Sequence, residues 1–343
     1  MLKLPTYTIT AGLFAVAGAS LLLPGCHFPN TAWPIEPTNQ THPIGNSGGE
    51  FQQYSGGPYF HTGIDIVDDD PAPAGPFVRS TRAGTVSLSL PGAGSLYNGA
   101  VVAHGDSEHS EYKYWHLDFN SIPQSVRDHE TNGTVMPANS AVARLVFWTA
   151  CDYHHLHFEA CDDGGCEDPV WDLEPRNDVN GPAVTDLQFT NNGSSSVIPP
   201  GFPYTNVSGQ VDIIARASDR QFVTATQNHR TGVMYIRYQV KTLPAGTVVK
   251  TGKTINFTKI PPSNKTTVLY RNAAPFDSSS AYCGTESYYY AVSNVDDNNA
   301  NNFDENFAWD TTALPNGTYW VEVKAWDASS NSAAIIKQVR IVN

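Results

Sequence analysis

A chain of 343 residues is long enough for two or three domains. Only 15% of its residues are charged, Gly (27) and Pro (24) are plentiful, and no long amphipathic helical pattern appears, a balance that favours β-rich domains with many turns. The formal net charge of −13 excludes the clustered Lys and Arg that nucleic acid or an anionic membrane surface requires, so neither is expected as a partner.

Met1 to Lys3 carries one positive charge, and residues 9–23 form an apolar stretch that is short for a membrane span and has the length of a signal-peptide core. It runs into Leu23, Pro24, Gly25 and Cys26. This resembles the bacterial lipoprotein processing box, in which a small residue precedes a cysteine that is acylated and becomes the mature N-terminus. Pro24 departs from that pattern, standing where a small or aliphatic residue is usual. The resemblance implies an exported chain that loses residues 1–25, touches the membrane only through a lipid on Cys26, and faces the periplasm or the cell surface. Residues 26–44, rich in Pro, Thr and Asn, read as a linker. In an oxidising compartment the four later cysteines, Cys151, Cys161, Cys166 and Cys283, read as disulfides with three connectivities. Cys161 and Cys166 bracket a short DDGG turn and form the nearest local pair; Cys151 with either of them stays open.

From residue 45 the pattern becomes short strands between Gly and Pro, expected over 64–67, 85–90, 99–104, 112–117, 142–147 and 155–160. Residues 45–177 form one β-rich domain on this reading, and RNDVNGP, 176–182, a linker. Beyond it, strands are expected over 211–217, 235–240, 318–326 and 335–342, with Tyr319, Val321, Val323 and Ala325 turned inward. Residues 182–343, with several such strands and almost no helical signal, suggest a two-sheet sandwich of immunoglobulin type. The Asn/Asp-rich run 294–306 lacks the spacing and Gly of an EF-hand loop and reads as a solvated loop.

The stretch HHLHFE, 154–159, alternates as a strand does, so His155, His157 and Glu159 share one face while Leu156 and Phe158 enter a core. Two imidazoles about 6 to 7 Å apart on a rigid strand can converge on one metal ion or one reacting group. One such pair decides nothing, because about 0.35 His-any-His pairs arise by chance in this composition. In FHTGIDI, 60–66, Gly63 and the β-branched Ile64 and Ile66 make a turn entering a strand, which holds His61 and Asp65 as a nitrogen and an oxygen donor suited to tetrahedral zinc; standing alone they read as a surface His and an Asp that fixes the turn. In YKYWHLD, 112–118, alternation puts Tyr112, Tyr114 and His116 on one face.

The order HTGID, WHLD, HLHFE resembles the M23 family of bacterial zinc metallopeptidases, the lysostaphin type that cleaves peptidoglycan cross-bridges or stems. Residues 75–86 and the stretch NGAVVAHG are similar to the family's intervening turns and strands, so that the resemblance spans roughly 45–175. It implies an M23-type antiparallel β-sheet domain followed by an Ig-like domain, with His61, Asp65 and His157 as ligands of Zn2+ and His116 and His155 as catalytic histidines. His154 falls on the opposite face, and Glu159 supports a ligand rather than binding metal. The implied activity is zinc-dependent endopeptidase action on peptidoglycan or peptide; the alternatives are a non-catalytic cell-wall-binding or hydrolase-activating module, and an adhesin whose Ig-like domain is the working part. Where the family has a Gly-rich turn before HLHFE, this chain has FWTACDYH, 147–154, whose bulk is expected to reshape the groove. The oligomeric state is not legible.

Overall fold

The computed structural model describes residues 31–343 apart from 55, 69–73, 106–108, 150–152, 224–228 and 280–286. The expected export segment, Cys26, Cys151 and Cys283 lie outside the described residues. The fold is mainly β, built from several antiparallel sheets.

The first half is organised by one large sheet with the strand order Val135–Met136, Gly84–Ser89, Gly99–Ala103, Glu111–Trp115, Tyr153–Asp162, Ile64–Asp68, Ile44–Asn46. Its central strand, Tyr153–Asp162, is flanked antiparallel by Glu111–Trp115 and Ile64–Asp68. Period-2 alternation separates its faces. Ile64, Ile66, Ala100, Val102, Tyr112, Tyr114, Leu156 and Phe158 are fully buried on one of them. Cys161 and Cys166 are disulfide-bonded across the hairpin that ends the central strand, as the local pairing predicts.

The sequence pattern gives no sign of the helix Gln124–Asn132, which starts after Pro123 and stops at Gly133, whose left-handed φ of 60° caps it. Only Val126 of this helix is buried, so there is no apolar stripe to read.

In the second half, one sheet holds Ala183–Asn191, Gln210–Ser218, Tyr289–Ala291 and Trp309–Asp310. The other holds Thr205–Val207, Ser332–Ile341, Gly317–Trp326, Tyr235–Thr242, Val248–Thr251 and Ile255–Asn256. Tyr319, Val321, Val323 and Ala325 are buried, as alternation requires, and Leu187, Phe189, Ile213 and Ala215 are buried in the facing sheet. Lys337 Nζ crosses between the sheets to donate to Leu187 O at 2.8 Å.

One large hydrophobic core spans the two halves, beside a small separate cluster of Ile214, Phe276 and Ala291. Phe60 packs against Phe257 (ring centroids 6.4 Å apart) and Tyr270 (6.0 Å), and Phe51 meets Tyr270 at 5.8 Å. Tyr270 Oη donates to Gly49 O at 3.0 Å. Gly49 has φ 72°, and a Cβ there would stand 2.5 Å from Phe257 Cδ1, so both the backbone and the contact demand glycine.

One expectation is corrected here. Residues 31–44 are not a free linker: Thr31–Ala32 pairs in parallel with Leu173–Glu174, Trp33 and Ile35 are buried, and Trp33 Nε1 donates to Pro175 O at 2.8 Å. The Pro, Thr and Asn that make the segment look unstructured hide three apolar residues, Trp33, Ile35 and Ile44, whose burial outweighs the composition.

A shared core predicts shared unfolding. Phe257→Ala removes a fully buried ring from the second half, at a cost of about 3 to 5 kcal/mol. Scanning calorimetry should show one cooperative transition in the wild type and one, at lower temperature, in the variant; two transitions, of which only one moves, would contradict the shared core.

Candidate metal centre

Three chain segments deliver the site. The ladder between Phe51–Tyr54 and Gly57–Phe60 continues through Glu50 and His61, with His61 N–H donating to Glu50 O at 3.0 Å and Gly49 N–H to His61 O at 2.9 Å. The chain then turns at Gly63, which lies so close to the central strand that a Cβ would meet Phe158 O at 2.2 Å. It enters Ile64–Asp68, where the antiparallel register sets Asp65 directly opposite His157.

His61 Nε2 lies 2.8 Å from His157 Nδ1 and 3.3 Å from Asp65 Oδ1, and His157 Nδ1 lies 2.9 Å from Asp65 Oδ1. Two imidazole nitrogens and one carboxylate oxygen thus meet at one point and could hold a metal ion. Donors on a tetrahedral ion with bonds of about 2.0–2.2 Å stand roughly 3.3–3.5 Å apart, so the trio accepts an ion by opening a few tenths of an ångström.

The rear nitrogen of each histidine is occupied, which aims the front one. His61 Nδ1 donates to Ser47 O at 3.1 Å, and His157 Nε2 meets Glu159 Oε1 at 2.9 Å; the tautomers are assigned from these partners. Glu159 is itself held by Thr62 Oγ1 (2.8 Å) and Lys113 Nζ (3.3 Å). It lies behind His157, on the sheet face that alternation assigns it.

Electrostatics fit a cation. Burial pushes the His157 imidazole down, but the hydrogen bonds and charges of Asp65 and Glu159 outweigh it and raise its pKa to about 9. Burial pushes Glu159 up, and the bonds from His157 and Thr62 bring it down to about 2. Asp65 is held well below the usual carboxylate range, its burial overcome by His61 and His157. The negative surroundings that raise His157 also favour a metal cation, which displaces the His157 proton when it binds.

His155 and His116 lie beside the trio. Their rings are 4.5 Å apart, and His116 is 6.1 Å from His157. Burial lowers His155 to about 3 and His116 to about 4, so both are neutral near pH 7. His116 Nδ1 donates to Leu96 O at 2.7 Å, which leaves Nε2 as an acceptor, while His155 Nδ1 is buried without a hydrogen-bond partner among the described residues.

The alternation that puts Tyr112, Tyr114 and His116 on one face is corrected. Tyr112 and Tyr114 are core residues, but His116 takes φ 70°, and this left-handed step ends the alternation and swings the ring to the face of His155. A non-glycine residue held there stores strain of the kind that clusters at functional sites.

His154 faces away from the site, fully buried against Phe147, as expected. Trp148, from the bulky 147–154 segment, stands 5.0 Å from His116 and 4.9 Å from His155 and walls that side. Tyr97, 61% exposed, lies 5.9 Å from His116 and 6.1 Å from Trp148; as a lone aromatic in a turn it gives no signal in the sequence.

Ser47 and Glu50 are also invisible in the sequence. Glu50 accepts from Ser47 N (2.8 Å), Ser47 Oγ (3.2 Å), the Asn46 side chain and Gly232 N (3.2 Å), so one buried carboxylate ties the loop behind His61 to the second half of the chain. From the other side, Asp168 accepts from Gly48 N at 3.0 Å and Val170 N at 2.9 Å. No protein-family model matches the chain, and no curated protein matches it.

Elemental analysis of purified protein checks the donor set. His61→Ala should lose the bound metal, Glu159→Ala should hold it about 10- to 100-fold more weakly, and His155→Ala should keep it. Equal metal content in wild type and His61→Ala would exclude this centre.

Burial, against the two N–H donors, raises the Asp168 pKa to about 7 from an ordinary 3.8. The folded state therefore binds that proton more tightly, and the stabilisation is complete below about pH 4 and lost as pH rises through about 7. Melting curves at pH 5 and pH 8 should show the wild type losing more stability than Asp168→Asn; parallel losses would contradict the assignment.

Proposed function

We propose that the protein is an exported zinc endopeptidase of M23 type that hydrolyses peptide bonds in peptidoglycan cross-links or stem peptides. The observation that carries the reading is the convergence of His61, Asp65 and His157 to within 3.3 Å, with two neutral imidazoles on the same sheet face. Two imidazoles and one carboxylate suit zinc and leave a fourth position for water. The order of the motifs supports the family, and the two facing sheets of the second half support an Ig-like domain.

The chemistry that zinc supplies when bound is polarisation of the scissile carbonyl and acidification of a water. The chain's own part is proton handling. His116, with its Nδ1–H fixed on Leu96 O, presents the Nε2 lone pair and takes a proton from the attacking water, then returns it to the leaving amine. His155 supplies an N–H to the oxygen on which negative charge develops. Trp148 packs on both rings, which restricts their rotation and keeps water from their far side. Tyr97, exposed beside His116, offers an aromatic surface to the substrate chain.

The test uses purified chain, zinc content and release of soluble fragments from peptidoglycan. Wild type should carry about one zinc per chain and cut, while His116→Ala and His155→Ala should keep zinc and lose roughly 10²- to 10⁴-fold in rate. Wild type that holds no zinc would overturn the reading. Zinc-loaded wild type that cuts neither peptidoglycan nor Gly-rich peptides would assign the non-catalytic cell-wall-binding function instead.

A further inference from the structure

A second group of candidate ligands lies outside this site and plays no part in the proposed reaction. Asp178, in the segment joining the two halves, Asp219, just after strand Gln210–Ser218, and Asp327, just after strand Gly317–Trp326, each bring a carboxylate oxygen within 4.8 Å of the others. All three residues are buried. None forms an ion pair with a lysine, arginine or histidine among the described residues.

The neutralisation that is present is partial. Asp219 Oδ1 accepts from Arg220 N at 2.7 Å, but Asp219 Oδ2 is buried with no hydrogen-bond partner among the described residues, in a residue only 2% exposed. Asp327 accepts from the Asn331 backbone and side chain, each at 2.8 Å, and from the Ser329 N–H, while Asp178 accepts from Asn180 N at 3.0 Å, the Asn180 side chain at 3.3 Å and the Val179 and Phe222 N–H groups, all neutral donors. The Asn331 amide is surrounded by oxygens, since it also donates to the carbonyls of Asp178 and Asn180, each at 3.0 Å. Burial and mutual repulsion raise Asp219 well above the usual carboxylate range and Asp327 to about 6. Three buried acids held together without a cation are costly unless something positive joins them.

We propose that Asp178, Asp219 and Asp327 form a calcium site that fastens the joining segment to two turns of the C-terminal sandwich. The donors are all hard oxygens, with no imidazole or thiolate, and backbone carbonyls stand nearby, which is the ligand chemistry of calcium rather than zinc. Oxygens bonded to one calcium at about 2.3–2.6 Å are at most about 5 Å apart, and these three carboxylates meet that limit. Magnesium, which requires a tighter octahedron and retains its waters, fits less well. Ion binding here fixes the entry of the chain into its second half, and through the shared core it steadies the domain that backs the histidine site.

The experiment is titration calorimetry and thermal melting of the purified full chain in decalcified buffer, with calcium chloride and, separately, magnesium chloride. One calcium per chain should bind, the melting temperature should rise with calcium concentration, and magnesium should do less. Asp219→Asn and Asp327→Asn should each weaken calcium binding at least tenfold. Both isosteric variants should keep a single cooperative melt without calcium, so that lost binding is not lost folding. His61→Ala should bind calcium as wild type does, which separates this site from the metal centre. Absence of calcium binding at about 10 mM, above the range of weak extracellular calcium modules, would overturn the proposal. Wild-type affinity in both Asp→Asn variants would overturn it equally.

Discussion

The antiparallel register of the central strand is the constraint on which the rest of the site depends. With Tyr153–Asp162 between Ile64–Asp68 and Glu111–Trp115, His157 is set opposite Asp65 on one side and Trp115 on the other. A slip of one residue would turn His155, His157 and Glu159 into the core and push Leu156 and Phe158 into the site. Burial of Phe158 against Tyr112 and Tyr114 therefore does more than stabilise the sheet. It fixes which histidines can meet Asp65.

The second half of the chain completes this arrangement from behind. The loop that gives its Ser47 carbonyl to His61 is gripped by Glu50, and Glu50 in turn accepts from Gly232. Tyr270 reaches the same loop through Gly49, and Phe257 closes against that glycine. The position of His61 is thus supported by side chains from both halves, as a metal site would require. The second half of the chain is part of the scaffold of the site.

The parts of this arrangement that depend on local pattern are visible in the sequence. Alternation in HHLHFE separates site-facing from core-facing residues, and Gly63 between His61 and Ile64 marks the turn into the strand. The parts that depend on distant contacts are not visible. His116 alternates with Tyr112 and Tyr114 in sequence, yet a single left-handed residue moves it to the other face. Trp33 and Ile35 sit in a Pro-rich stretch whose composition reads as linker, and only their partners across the chain give them a core. Asp178, Asp219 and Asp327 are ordinary turn residues one at a time; their meeting is a property of the fold.

Two histidines and one aspartate, named as ligands by the family resemblance and joined by one strand register, make the candidate zinc centre. X-ray absorption at the zinc edge of the purified wild-type chain tests it most directly. The account predicts a four-coordinate ion with two imidazole nitrogens and oxygen donors at about 2.0–2.2 Å and no sulfur. A thiolate in the coordination shell, a shell of oxygens alone, or a chain that retains no zinc would contradict it.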